Sequence, residues 1–450
     1  MDFTDSGYTI YDPLSTSCSN GKAITGCTGT LQRTAFPGDT IPASRISPIG
    51  AVVLNLYPLP KINNSGLQNN YIANVPDKYL YNQPMVRVDY DLTDSTRLYS
   101  LFALQKGTEF RDSSGFTGVA ENGNINTLRQ ELMASQDVTH IFSPTFLVDV
   151  KASFSRFQDS FPNGNFSDLV NPTSIGLNMP SVPTTTIKQL PQFTTSDGFY
   201  PQVVGNNVSN DVYNNYILDI DFSKTWGKHS MHFGGELAEY QYANPGSVGS
   251  PNGYFNFGTQ YTQANPYQRG TIPGVNDGFD VADMLLGYPD GGGVDYNRTQ
   301  FDYYPTYAMY FQDDWKVTRR LTINVGVRYD IQTGTKERHN GLNRGLCTLC
   351  INPITNDPVY QANLTADSAA LEAVGINPAS LRTLYGGIEF AGANGQQKDA
   401  YNTDYTNLGP RFGFAYLLTP KTVIRAATES CMRLAWKVVR LQVSARPRVL

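Results

Sequence analysis

Four histidines, five cysteines and two pairs of aspartates spaced two apart are the side chains from which a reactive site would have to be built. His229 and His232 are three apart. On a helix that spacing presents a metal pair, but on a strand an odd spacing sends the rings to opposite faces. His232 and Glu236 share a strand face, yet four residues at about 3.3 Å each separate them by about 13 Å, too far for one ion. Asp219 and Asp221, like Asp89 and Asp91, are same-face neighbours. Two carboxylates so placed can serve glycoside hydrolysis, but the wet face of a sheet is the favoured reading. Cys18 and Cys27 lie nine apart in a Ser/Gly/Thr-rich loop, Cys347 and Cys350 form C-T-L-C, and Cys431 is alone. A zinc site needs two such pairs, or a pair with nearby histidines, and only His339 lies near Cys347. Loop disulfides or free thiols are favoured over metal, and whether either pair is bridged stays open. Gly291-Gly292-Gly293 is followed by neither Lys-Ser/Thr nor a helix start, so it is no phosphate loop. No Gly-x-Ser-x-Gly elbow occurs. Tyr303, Tyr304, Tyr307, Tyr310 and Trp315 fit a sugar platform or a membrane-interface girdle equally. The sequence therefore assigns no catalytic, cofactor or metal residue, leaves the ligand-binding residues unknown, and predicts no hydrolase or oxidoreductase activity.

The elements that would position these residues follow from composition and period. The chain has 450 residues, 34 Lys+Arg against 39 Asp+Glu, and only 16% charged residues. Without a basic excess it is no nucleic-acid binder by bulk electrostatics. Its 28 Tyr and 23 Phe set it apart from disordered chains. No run of 18 apolar residues occurs, which excludes a spanning helix. Few charges, many tyrosines and alternating polarity suit an outer-membrane barrel.

Alternation is the dominant pattern. Val86, Val88, Tyr90 and Leu92 oppose Arg87, Asp89 and Asp91. Phe146, Val148, Val150, Ala152 and Phe154 oppose Asp149, Lys151, Ser153 and Ser155. Tyr216, Leu218, Ile220 and Phe222 oppose Asp219, Asp221 and Ser223. Tyr307, Met309, Phe311, Trp315 and Val317 share a face that Asp313 interrupts. Leu321, Ile323, Val325, Val327, Tyr329 and Ile331 oppose Thr322, Asn324, Gly326, Arg328 and Asp330. Phe412, Phe414 and Tyr416 pair with Val423 around Thr419-Pro420-Lys421. Period two means one wet and one apolar face, and strands of ten residues or so match the 9–11 that span a bilayer. Turns of about three to five residues join the hairpins. Long connections over about 158–211, 241–305 and 332–409 separate them, which compact soluble domains rarely tolerate. Three short helices are predicted: one after the Ser47 N-cap with Pro48 at its first position, one over Phe279–Leu286 closed by Gly287, and one over about Ala366–Val374.

Taken in order, several segments resemble the TonB-dependent outer-membrane receptors, in the large branch with an N-terminal carboxypeptidase-regulatory-like domain. They are Ile10-Tyr11-Asp12-Pro13-Leu14, Phe36-Pro37-Gly38-Asp39, Ile41-Pro42-Ala43-Ser44-Arg45-Ile46-Ser47-Pro48 and Leu56-Tyr57-Pro58-Leu59-Pro60. Val86–Tyr90, His229–Glu236, Ala282-Asp283-Met284-Leu285-Leu286-Gly287-Tyr288-Pro289, Tyr310–Val317, Leu321–Tyr329 and Gly409–Tyr416 complete the set. The resemblance covers about Tyr8 to Arg425. It implies an all-β fold, a partial transmembrane antiparallel β-barrel of up-and-down hairpins, with short turns on one side and long loops on the other. About ten to twelve strands can be counted, against about 22 in the family's barrel.

The resemblance also implies a division into an irregular region with a short helix (1–80), a partial barrel with long extracellular loops (81–425) and an atypical tail (426–450). Such receptors begin with a signal peptide, a small β-sandwich, a plug and a TonB-contacting segment. None is recognisable here, so the expected object is a middle fragment of the barrel. The tail carries five basic residues and one acidic, without tyrosine or glycine. From about Ala426 it is expected to be out of frame. The implied function is uptake of a large or scarce solute across the cell outer membrane. The implied partners are outer-membrane lipid and an extracellular solute (glycan, peptide or chelate), with the TonB system in the full-length protein only, and no nucleic acid. The alternative is an extracellular β-rich carbohydrate-binding or adhesive protein. The two differ in whether the apolar strand faces stay exposed or pack against a second layer.

Overall fold

The computed structural model describes residues 1–62, 69–74, 76–111, 115–116, 118–120, 125–161, 170–179, 190–196, 200, 202–204, 209–245, 250, 252–266, 276–295, 299–373, 375–393, 395–429 and 440–445. Thirteen strands form one sheet, all paired antiparallel. In chain order they are β1 (Lys78–Asn82), β2 (Met85–Thr93), β3 (Thr96–Arg111), β4 (Ile125–Ser143), β5 (Phe146–Phe161), β6 (Ser209–Trp226) and β7 (His229–Ala243). There follow β8 (Phe301–Trp315), β9 (Leu321–Gln332), β10 (Lys336–Glu337), β11 (Asp404–Thr419), β12 (Thr422–Glu429) and β13 (Arg440–Ala445). Strands that neighbour in sequence neighbour in space. The path runs β13-β12-β11-β9-β8-β7-β6-β5-β4-β3-β1, with β2 also on β3 and β10 on β8.

The hairpin turns are tighter than the sequence suggested. At one end of the sheet only Asp94-Ser95, Pro144-Thr145, Gly227-Lys228 and Pro420-Lys421 lie between successive paired strands, and 316–320 is the longest link at that end. Gly227 adopts φ 58°, a left-handed conformation that Gly takes without steric cost. At the opposite end the chain makes long excursions over 112–124, 162–208, 244–300 and 333–403. Several strands exceed the bilayer requirement, β4 reaching 19 residues.

Among the described residues the apolar face of the sheet has no second layer over it. Val86 and Val88 are 58% and 56% exposed, and Val325 and Val327 are 47% and 39% exposed. The hydrophobic core found among the described residues contains no residue of the thirteen strands. It lies instead in a cap built from the N-terminal segment and the excursions. Ile10, Ile41 and Val53 pack there with Leu190, Phe193 and Val203 and with Val281, Met284 and Leu285. The N-terminal region, read as irregular with a short helix, contributes Ile10, Ile41 and Val53 to this core. Two helices anchor the cap. α1 (Pro48–Leu54) has Ser47 as its N-cap, the hydroxyl accepting from the Gly50 N–H. α2 (Asp280–Leu286) ends at Gly287 with φ 80°.

The last long excursion holds α3 (Pro358–Ala366), α4 (Ser368–Ala373) and α5 (Pro378–Leu381). α4 falls within the helix expected over about Ala366–Val374, and α3, which the sequence did not predict, precedes it, Asp357 accepting from the Val359 and Tyr360 N–H groups. Residues 426–429 continue β12, and Arg440–Ala445 adds a strand to it. The remainder of the tail lies outside the described residues.

Candidate functional site: the polar sheet face and its cap

Register gathers the two aspartate pairs and their charged neighbours onto one face. Asp219 lies between Lys151 of β5 and Glu236 of β7, and Asp221 between Asp149 and Gly234. Asp137 faces Tyr99 and Lys151. Arg87 bonds Asp89 at 2.7 Å and Arg328 bonds Asp330 at 3.0 Å. The Thr139 hydroxyl donates to Asp149 at 2.7 Å. The Tyr310 hydroxyl reaches across Gly234 to Asp221 at 2.5 Å. A Cβ at Gly234 would lie 2.8 Å from that carboxylate oxygen and 2.1 Å from the Ile220 carbonyl, so glycine here lets the tyrosine cross the strand. The aspartate pairs are therefore parts of a ladder of hydrogen-bonded polar groups.

The two histidines separate as strand geometry requires. His229 Nδ1 meets Asp313 Oδ2 at 2.6 Å on the apolar face, while His232 Nδ1 meets the Ser223 hydroxyl at 3.0 Å on the polar face. Asp313, the one break in the apolar stripe of β8, is thus paired with His229. The five aromatics around β8 do not form one platform. Tyr303, Tyr307 and Trp315 lie on the apolar side and Tyr304 and Tyr310 on the polar side, and Tyr304 stacks on Tyr240 at 5.2 Å.

Cys18–Cys27 and Cys347–Cys350 are disulfide-bonded. Cys347 lies in a strand (Asn343–Ile351) paired with Tyr385–Phe390, rather than in the loop expected. Glu389 completes a trio with these two sulfurs, all within 4.8 Å. Gly291-Gly292-Gly293 is a strand against Tyr254–Phe257, and a Cβ at Gly292 would lie 2.7 Å from the Tyr254 carbonyl. Close backbone approach accounts for its glycines.

The cap is held by polar groups that the sequence did not single out. Asp283, fully buried on α2, accepts from the Thr262 hydroxyl at 2.6 Å and the Tyr261 N–H at 2.9 Å. Arg33 Nη1 donates to the Gln260, Tyr261 and Gln263 carbonyls at 2.7, 2.9 and 3.1 Å. Burial pushes the Asp283 carboxyl well above the usual aspartate range, opposed by the Thr262 and Tyr261 hydrogen bonds and by Arg33. Arg45 grips Asp12 through two bonds of 2.7 Å, and Asp39 accepts from the Ile10 N–H at 2.9 Å. The Ser47 N–H donates to the Leu285 carbonyl at 2.7 Å. Segments far apart in sequence are thus the two halves of single contacts.

Residues 2–428 match the family model described as the outer membrane beta barrel domain. The chain belongs to that family. Its place is therefore the outer membrane, and its exposed strand face is the lipid-facing surface of a barrel. No curated protein matches it in sequence. Among solved structures it is similar to the ferric-catecholate import receptor Fiu of E. coli K12, at 12% identity and TM-score 0.38, covering 80% of this chain and 47% of that one. It is similar to the ferric yersiniabactin uptake receptor FyuA of Yersinia pestis, at 8% identity and TM-score 0.36, covering 82% and 41%. It is also similar to the ferric citrate transporter FecA, at 10% identity and TM-score 0.35, covering 78% and 36%. The chain spans less than half the length of these solved chains.

Proposed function

We propose that this outer-membrane barrel is the loop-bearing part of a TonB-dependent receptor that captures a large or scarce solute from outside the cell. The observation that carries the reading is the cap. The N-terminal segment and three excursions share one buried core at the end of the sheet opposite the tight turns. A barrel that served only as a pore would not need its loops ordered into a packed body, whereas capture of a solute calls for rigidly positioned loops. The polar face below supplies hydrogen-bonding groups along the strands. On this reading the TonB system acts on the full-length protein, and the chain has no catalytic role. The division at residues 80 and 425, and a change of frame near Ala426, remain part of the proposal.

The test is uptake. The full-length product would be extracted from outer membranes and its thermal stability measured against panels of ferric chelates, oligosaccharides and peptides. A solute that stabilises it should accumulate in energised cells and not in cells treated with a protonophore. A solute that binds tightly but is taken up in neither condition would contradict the receptor reading and support adhesion.

A further inference from the structure

We propose that the tight-turn end of the sheet carries a binding site for anionic glycerophospholipid headgroups, formed by adjacent turns from β6 to β12. The inference rests on the outer-membrane placement and not on the receptor reading. The three turns are stitched together: the Lys316 N–H donates to the Lys228 carbonyl at 2.8 Å, and the Leu417 N–H to the Arg320 carbonyl at 2.7 Å. They bring Lys228, Lys316, Arg319, Arg320 and Lys421 onto one exposed rim. Lys224 lies beside them, its ammonium 5.2 Å from the centre of the Phe146 ring. The acidic groups nearby are engaged elsewhere. Asp313 is held by His229, and Asp314 accepts from the Asn324 amide on the polar face. Asp94 belongs to the β2–β3 turn at the far side of the sheet.

The apolar face ends directly at this rim in two tryptophans. Trp226 is 72% exposed, and Trp315 stacks on His229 at 5.4 Å with the rings 13° from parallel. Indole rings favour the headgroup level of a bilayer, and clustered Lys/Arg at that level attract anionic lipid. The occupant must therefore offer acyl chains to the valine and phenylalanine face and a negative headgroup to the rim. A free phosphate satisfies only the second demand. The turns face the leaflet opposite the long excursions, which favours a glycerophospholipid.

The tryptophans report directly. The chain has three, Trp226, Trp315 and Trp436, and Trp436→Phe leaves the two at the rim. The full chain with this change would be placed in phosphatidylcholine vesicles containing brominated phosphatidylglycerol or, separately, brominated phosphatidylcholine at the same mole fraction. Bromine quenches indole only at contact. Brominated phosphatidylglycerol should quench as though enriched at least about threefold at the tryptophans. Adding Lys228→Gln, Arg319→Gln and Arg320→Gln should bring that ratio to one while quenching by brominated phosphatidylcholine is retained. In the chain without these three changes, salt should collapse the preference, which gives a second reading if the triple variant does not insert. Equal quenching by the two lipids, a preference that salt leaves untouched, or lipid A displacing brominated phosphatidylglycerol better than phosphatidylglycerol itself at equal phosphate would overturn the proposal.

Discussion

Gly50 of α1 lies against the Met284 carbonyl of α2, so closely that a Cβ on Gly50 would sit 2.2 Å from that oxygen. The two helices are far apart in sequence, and this contact, beside the Ser47–Leu285 hydrogen bond, is where they meet. Gly50→Ala must push them apart. The expected cost is about 1–3 kcal/mol, as for other overpacked contacts. It should appear as earlier proteolysis of the cap, with the sheet's resistance to unfolding in detergent unchanged.

The buried Asp283 gives the cap a pH dependence of unusual sign. Because burial raises its value, the folded cap holds the proton more tightly than the unfolded chain. Its contribution is fullest below the ordinary value of 3.8 and declines as pH rises from there through the raised value. Asp12 behaves oppositely. The Arg45 hydrogen bonds hold its carboxyl below the ordinary value, so that contribution is present above 3.8 and lost as pH falls through the lowered value. Calorimetry across the acid range should show Asp283→Asn flattening the decline on the higher-pH side. Arg45→Gln should remove the loss on the acid side and cost about 1 kcal/mol, this partly exposed pair being screened by solvent.

Neighbouring residues of β9 should respond unequally to the same charge. Arginine at Val325 meets lipid and should cost about 2–4 kcal/mol near the midplane. Arginine at Asn324 falls on the polar face beside Asp314 and should cost well under half of that. Heat-modified migration of the folded barrel in detergent gels, followed through denaturant, measures both. Equal costs would contradict the assignment of faces.

Neither disulfide lies within a strand of the thirteen-stranded sheet. Cys347→Ser with Cys350→Ser should leave its stability within about 0.5 kcal/mol, the ordinary range for changes outside a packed core. A metal held by Cys347, Cys350 and Glu389 in reduced protein, and lost with either cysteine, would show the pair to be a ligand set. Equilibrium dialysis with zinc under reductant decides this.

The strands were legible because one face of each is apolar and the alternation at Val86–Leu92 or Leu321–Ile331 has no competing helical period. The helices at Pro48 and Phe279 were legible from their caps. The cap itself was hidden. Its core joins Ile10 and Ile41 to Phe193 and Met284, contacts that no local period reports, and its polar hub uses a lone Asp283 whose partner Thr262 is 21 residues away. The segments carrying the family resemblance, Asp12 with Arg45 and Ser47 with Leu285, prove to be contact pairs. That relation needs the fold to be seen. The aromatic cluster near β8 misled for the opposite reason. Residues close in sequence on a strand are divided between two faces.

The central claim is that the apolar face of this sheet meets lipid. Single spin labels at each position from Leu321 to Ile331, in the chain reconstituted into vesicles, test it most directly through collision with oxygen and with a water-soluble nickel chelate. The account predicts strict alternation. Labels at 323, 325, 327 and 329 should be open to oxygen and closed to nickel, and those at 324, 326 and 328 should show lower oxygen access and higher nickel access. Labels at 323–329 that are shielded from both agents, or that show no period of two, would contradict it.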